Sequence, residues 1–162
     1  MQAGAEKTAC RSSGAGVVPG SGKRRDGTMK QLIYRSRPFG FDRAMLAGIL
    51  MQARRNNRLN DITGALICRH DLYLQLIEGP PAAIDALYAK IAEDDRHSEV
   101  TLAVSEEVGE RMFPEWDMLD DEMPTLTWTP EEVAAGMIEA AGPDVLREIF
   151  ARIAAKGRTG AP

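Results

Sequence analysis

At 162 residues and 44% hydrophobic, the chain is long enough for one globular domain with a core and some appended structure. Twenty basic against 24 acidic residues leave a net charge of −4, which argues against a main role in coating nucleic acid or an anionic membrane. Cys10 and Cys68 are too far apart and too few for a disulfide framework, and no apolar run could span a bilayer or act as a secretory signal, so the expected compartment is the cytoplasm.

Residues 1–28 hold six of the fifteen glycines, show neither helical nor strand periodicity, and read as a disordered N-terminal extension. Five basic and two acidic residues there give +3, leaving −7 for residues 29–162. GSGK at 20–23 fails as a phosphate-binding loop, because Val17 stands where a glycine is required and Arg24 where serine or threonine is required. A folded-looking stretch opens at Met29. QLIYRS (31–36) reads as a strand, and the segment from Asp42 to Arg55 sets Met45, Leu46, Ile49, Leu50 and Ala53 on one helical face, with the helix ending near Asn56 and Asn57. ITGALICR (62–69) and LYLQLIEG (72–79) are two strands joined across His70 and Asp71, a spacing that suits a hairpin. Pro80 and Pro81 suit the start of a second helix with Ile84, Leu87, Tyr88 and Ile91 on its apolar face. VTLAVSEEV (100–108) and MFPEWDML (112–119) complete a βαββαββ order, the proline of the last suiting a strand beginning or an edge. The body of the domain is therefore assigned to 29–122.

Residues 123–162 read as a helical tail. TPEE at 129–132 is a capping box with proline at the first helical position, and GPD at 142–144 opens a helix with Val145, Leu146, Ile149, Phe150 and Ile153 on one stripe. With both crossover helices on one face of the sheet, Leu72, Leu74 and Leu76 point to the other by period 2. Either the tail or a second subunit must cover them.

The informative polar residues interrupt apolar strands. Gln75 sits among apolar neighbours, and a buried amide left unpaired costs ~1–3 kcal/mol. By alternation it lies with Tyr73 and Ile77 opposite the leucine face, and Tyr34 on its own strand can face it, so the hydroxyl and the amide can bond. Taken alone, Gln75 is better explained by a backbone carbonyl or a buried water, Asn56 and Asn57 by a helix C-cap role, DDRHSE (94–99) by a solvated turn, and Trp116 with Met118, which share a face on the last strand, by core packing. Together, Tyr34, Asn57 and Gln75 supply the donors and acceptors that a flat heteroaromatic with mixed hydrogen-bonding edges requires.

These pieces resemble the BLUF domains, blue-light sensors using flavin. The matching motifs are LIYRS with Tyr34, RRNN with Asn57, DITGALI, LYLQLIEGP with Gln75, the DDRHSEV turn, and RMFPEWDM with Trp116 and Met118, in family order from Met29 to about Asp120. Leu76 departs from members in which an aromatic follows the glutamine, and the loop after Tyr34 is short. The resemblance implies an α+β, ferredoxin-like fold with two helices on one face of the sheet, and a non-covalently bound oxidised flavin: FAD, with FMN or riboflavin as alternatives. It places Gln75 near flavin N5 and O4 with Tyr34 bonded to it, Asn57 on the ring, Asn56 beside it, Arg96 and His97 flanking the cofactor, and Trp116 and Met118 as relays. In the family, light draws an electron and a proton from the tyrosine and the glutamine rearranges its tautomer or orientation. The implied function is a non-enzymatic photoreceptor acting through a downstream protein partner or its own homo-oligomer. A flavin-free ferredoxin-like interaction module is the alternative. A small hydrolase or flavin oxidoreductase is disfavoured, because His70 and His97 are the only histidines and neither a nucleophile–base pair nor a nicotinamide fingerprint is present.

Overall fold

A computed structural model of the chain describes residues 27–39, 42–69, 72–121 and 128–159. The expected disorder of 1–28, apart from its last two residues, and the turn at His70 and Asp71 lie outside the described residues. Five strands form one sheet: β1 (Met29–Pro38), β2 (Thr63–Arg69), β3 (Leu72–Gly79), β4 (His97–Val108) and β5 (Leu119–Asp121), in the order β4-β1-β3-β2-β5. The first four pair antiparallel, and β5 joins β2 in parallel. This is the ferredoxin-like α+β arrangement that the family resemblance implies and that the βαββαββ order agrees with, the last strand being short and at the edge.

Helix α1 (Arg43–Leu59) begins where the Asp42 side chain accepts from the Ala44 N–H, and α2 (Pro81–Glu93) begins on a proline that has no N–H to leave unpaired. Both pack on one face of the sheet: Leu46 and Leu50 of α1 and Ile84 of α2 share a buried cluster with Leu32, Tyr34, Leu66, Tyr73 and Ile77. Met45, expected on that face, is 38% exposed and lies outside the buried cluster. The first helix does not stop near Asn56 and Asn57. Asn60 closes it one turn later, its side-chain amide and backbone N–H both reaching the Asn56 carbonyl, so Asn57 sits inside the last turn.

Three tail helices follow: α3 (Pro130–Ala134), α4 (Met137–Ala140) and α5 (Pro143–Thr159). The Thr129–Glu132 capping box is present in both directions. The intervening α4 has no pattern long enough to be read from sequence. These helices answer what covers the leucines. Leu74 and Leu76 pack with Leu146, Phe150 and Ile153 of α5, and Leu72 with Val133 and Ile138, so the far face of the sheet is sealed by the same chain and the leucines give no reason to invoke a second subunit. Each such burial is worth ~1.5–3 kcal/mol. Val145 lies off the stripe and is about half exposed.

One expected element is different. The strand at 112–119 is a loop through residue 118, and only Leu119–Asp121 pairs. Pro114 has no N–H to give a ladder, and the loop's backbone groups bond instead to side chains, to one strand amide and, from the Trp116 N–H to the Phe113 carbonyl, within the loop itself.

Candidate functional site

Tyr34 and Gln75 are direct cross-strand partners in the β1–β3 pairing. Their side chains meet on the helix-bearing face, where the Tyr34 hydroxyl donates to Gln75 Oε1. The other end of the amide is also occupied: Gln75 Nε2 donates to the Met118 sulfur at 3.5 Å. The buried glutamine thus bridges a phenol and a thioether, a strong acceptor contact on one side and a weak one on the other. Burial is the main reason that the Tyr34 phenol is held far above the ordinary tyrosine range, with Tyr88 and Asp94 adding to it. Tyr88 of α2 stands edge-on to Tyr34, with centroids 5.7 Å apart.

Tyr34 and Gln75 face a cleft of about 270 Å³ between α1 and α2. Its apolar walls are Ile49 and Ala53 from α1 and Leu87 and Ile91 from α2; its polar groups are Gln52, Asn56, Asn57, Lys90, Asp94, Arg96 and His97. Of the residues picked out from sequence, Tyr34, Asn56, Asn57, Gln75, Arg96 and His97 all line it. Asn57 is buried and gives its Nδ2 to the Asp117 carbonyl at 2.8 Å, while Asn56 is exposed at the rim. Arg96 is engaged by both Asp94 carboxylate oxygens and by Gln52 Oε1 at 3.2 Å. That bond to Arg96 lowers Asp94 to about 2 despite some burial acting the other way. His97 opens β4, contacts Ser36 Oγ through Nδ1 at 3.0 Å, and is pushed below the usual histidine range by desolvation. Gln52, Lys90 and Asp94 were not singled out from sequence. Their spacing offered a signal, since Gln52 lies one helical turn before Asn56 and Lys90 one turn after Leu87.

Apolar walls with mixed donors and acceptors along one side match a planar heteroaromatic with polar edges, so the donor set fits a flavin ring. Among the described residues no group of three His, Cys, Asp or Glu side chains is placed to hold a metal ion, and no helix is long and apolar enough to cross a membrane.

Trp116 and Met118 do not share a face. Met118 joins the cluster beneath α1 and α2, whereas Trp116 packs with the α5 cluster on the opposite side, its indole against Gly157. Two residues apart in an extended strand they would point the same way; in the observed loop they straddle the sheet edge. The loop is pinned at this end by the Gly64 N–H to the Trp116 carbonyl at 3.0 Å, by Asn57 to Asp117, and by Arg54 Nε to the Met118 carbonyl at 3.0 Å. Gly64 must be glycine here: a Cβ would lie 2.1 Å from the Leu76 carbonyl oxygen.

A family model described as BLUF, sensors of blue-light using FAD, matches residues 29–119. The chain belongs to the BLUF family. Over 114 residues, 68% of its length, it is 37% identical to the photoactivated adenylate cyclase subunit beta of Euglena gracilis, and it covers 12% of that protein, so the chain spans about an eighth of that relative's length. Among solved structures, a dark-state BLUF protein, BlrB, superposes with a TM-score of 0.66 at 33% identity, covering 79% of this chain and 96% of that one. Klebsiella pneumoniae BlrP1, in a manganese and cyclic diGMP complex, superposes with a TM-score of 0.59 at 26% identity, covering 83% of this BLUF chain and 35% of the other. The family binds flavin and senses blue light.

Proposed function

We propose that this chain is a blue-light-sensing unit that holds oxidised FAD in the cleft between α1 and α2 and signals by rearranging the Tyr34–Gln75–Met118 contacts. The observation that carries the reading is the buried amide of Gln75, bonded to a redox-capable phenol at one end and to a loop methionine at the other. Asn57, Asn56, Arg96 and His97 are the cleft side chains that would hold the cofactor's polar parts, with Ile49, Leu87 and Ile91 against its faces.

A bound flavin supplies absorption of blue light and a transient capacity to accept an electron. The chain's residues supply the rest. Burial keeps the Tyr34 proton in place at any ordinary pH, so the phenol loses it only together with an electron. Gln75 Oε1 is the acceptor already bonded to that proton. If Oε1 takes it up while Nε2 gives one to an acceptor in the cleft, which a bound flavin holding the electron from Tyr34 would supply, the amide becomes its imidic tautomer with no net change in its own protons; if the side chain instead turns over about its last torsion, the NH₂ faces Tyr34 and the oxygen faces Met118. Either change alters the N–H that the Met118 sulfur accepts. Met118 and Trp116 sit on one loop, and Trp116 rests on α5, so the change has a direct route to the tail and from there to a protein partner.

The test is absorption spectroscopy of the purified, flavin-loaded chain before and after a blue flash. A small, reversible red shift of the visible band is expected, and Gln75→Leu should keep the flavin and lose the shift. Flavin bound in the wild-type chain with a band that never moves would defeat the sensing role. Release and chromatography of the cofactor decides between FAD, FMN and riboflavin.

A further inference from the structure

Glu78 is the penultimate residue of β3, three residues beyond Gln75, and is fully buried, a rare setting for a carboxylate. Four donors surround it. Gln31 Nε2 reaches Oε2 at 3.0 Å and the Thr63 hydroxyl reaches Oε1 at 3.3 Å, both from the sheet. The other two are backbone amides of the loop after β4: Met112 N–H to Oε2 at 2.9 Å and Phe113 N–H to Oε1 at 2.6 Å. Arg111 tightens the same end of the loop, donating to the Thr63 hydroxyl at 3.0 Å and to the Asp61 carbonyl at 2.8 Å.

The same loop presents the Met118 sulfur to Gln75. Between the Glu78 anchor and that sulfur lie only Pro114 to Asp117, and the fixed φ of proline stiffens the span. Sulfur is a weak acceptor, so the position of the loop rather than the strength of the bond decides whether this contact is kept.

We propose that Glu78 is a positioning residue of the switch: by gripping the Met112 and Phe113 amides it sets where Met118 meets Gln75, and thereby how long the rearranged amide survives. Only an ionised carboxylate offers about four lone-pair sites and no hydrogen, which is what four converging donors require. A glutamine at this position would turn its own N–H groups toward donors, and a loop amide would lose its partner. The inference rests on the switch reading of the site above.

The experiment compares the wild-type, E78Q and Q31M full-length, flavin-loaded chains carrying ¹³C-methyl methionine. Q31M removes a sheet-side bond to Glu78 and leaves both loop amides held. In the dark, E78Q should move the Met118 methyl resonance and Q31M should not. After a flash, dark recovery in E78Q should differ about tenfold from wild type, the low end of the effect of losing one hydrogen bond to a charged group, while Q31M recovers at the wild-type rate. An unmoved Met118 resonance with unchanged recovery in E78Q overturns the proposal, and so does a Q31M chain that moves both as far as E78Q does, because Glu78 would then be a packing residue only. If E78Q does not fold, E78D keeps the charge and withdraws it from the loop by one methylene; it should move the resonance in the same way, and no movement again overturns the proposal. A wild-type chain with flavin and no red shift refutes the switch itself, and the dark Met118 resonance still decides the positioning role.

Discussion

Replacing Tyr34 with phenylalanine removes one oxygen from a side chain that is only 1% exposed and leaves its ring, its edge contact with Tyr88 and its cleft wall in place. The lost hydroxyl is the donor to Gln75 Oε1, so the substitution strands an acceptor inside the protein. Stranding a buried neutral acceptor costs ~1–3 kcal/mol, partly offset because the phenol itself no longer has to be desolvated, which gives a net loss of about 1–2 kcal/mol. For a domain of this size that lowers the melting temperature by about 3–8 °C. The amide gains nothing by turning over, since its NH₂ would then face a phenyl ring and its oxygen a sulfur. Flavin affinity should remain near wild type and the light-induced red shift should vanish, because the electron and proton donor is gone. The assay is dark thermal melting by circular dichroism beside flash absorption spectroscopy of the same preparation. A full red shift in Tyr34→Phe would refute the assignment of Tyr34 as donor, and an unchanged or higher melting temperature would show that Gln75 Oε1 has another partner.

Asn57→Ala removes a cleft-lining amide and leaves the Asp117 carbonyl without its donor, so flavin binding should weaken about tenfold and stability should fall by ~1–3 kcal/mol; titration with flavin checks it, and wild-type affinity would take Asn57 out of the site. Phe150→Ala opens the cluster in which Phe150 meets Phe113 edge-on at 6.2 Å, and denaturant unfolding should show a loss of ~3–5 kcal/mol; a loss below about 1 kcal/mol would mean that the tail does not share the core of the sheet. Burial raises Tyr34 strongly and pushes Tyr73 up to about 12, so both stay protonated in the folded chain while the unfolded chain releases their protons near the ordinary value of about 10. Their contribution to stability is therefore complete below about pH 10 and is lost as the pH rises from there toward the folded values, and a denaturation midpoint that stays flat across that alkaline window would contradict the burial of both phenols.

Much of this site was legible before any tertiary contact was known. Side-chain direction in a strand alternates with a fixed period, so the placing of Gln75 with Tyr73 and Ile77, and the opposite facing of Leu72, Leu74 and Leu76, follow from the residues alone, while the direct pairing of Tyr34 with Gln75 needs the strand order. The Thr129–Glu132 box and the prolines at the helix starts are equally local, because a cap is decided by side chains within one turn of the backbone groups they satisfy. What the chain could not declare locally is whatever depends on partners far away in sequence. The strand order, the tail rather than a second copy lying over the leucines, and the place of β5 are settled by which surfaces meet. The segment from 112 to 118 shows this most clearly. Read as a strand, it puts Trp116 and Met118 on one face; folded, it takes its path from Glu78, Gly64, Asn57 and Arg54, residues at least 34 positions earlier, and sends Met118 to the glutamine and Trp116 to α5. A loop without a backbone ladder has no periodicity to read, since most of its long-range backbone bonds go to side chains, and one to a strand amide, that only the tertiary fold brings within reach.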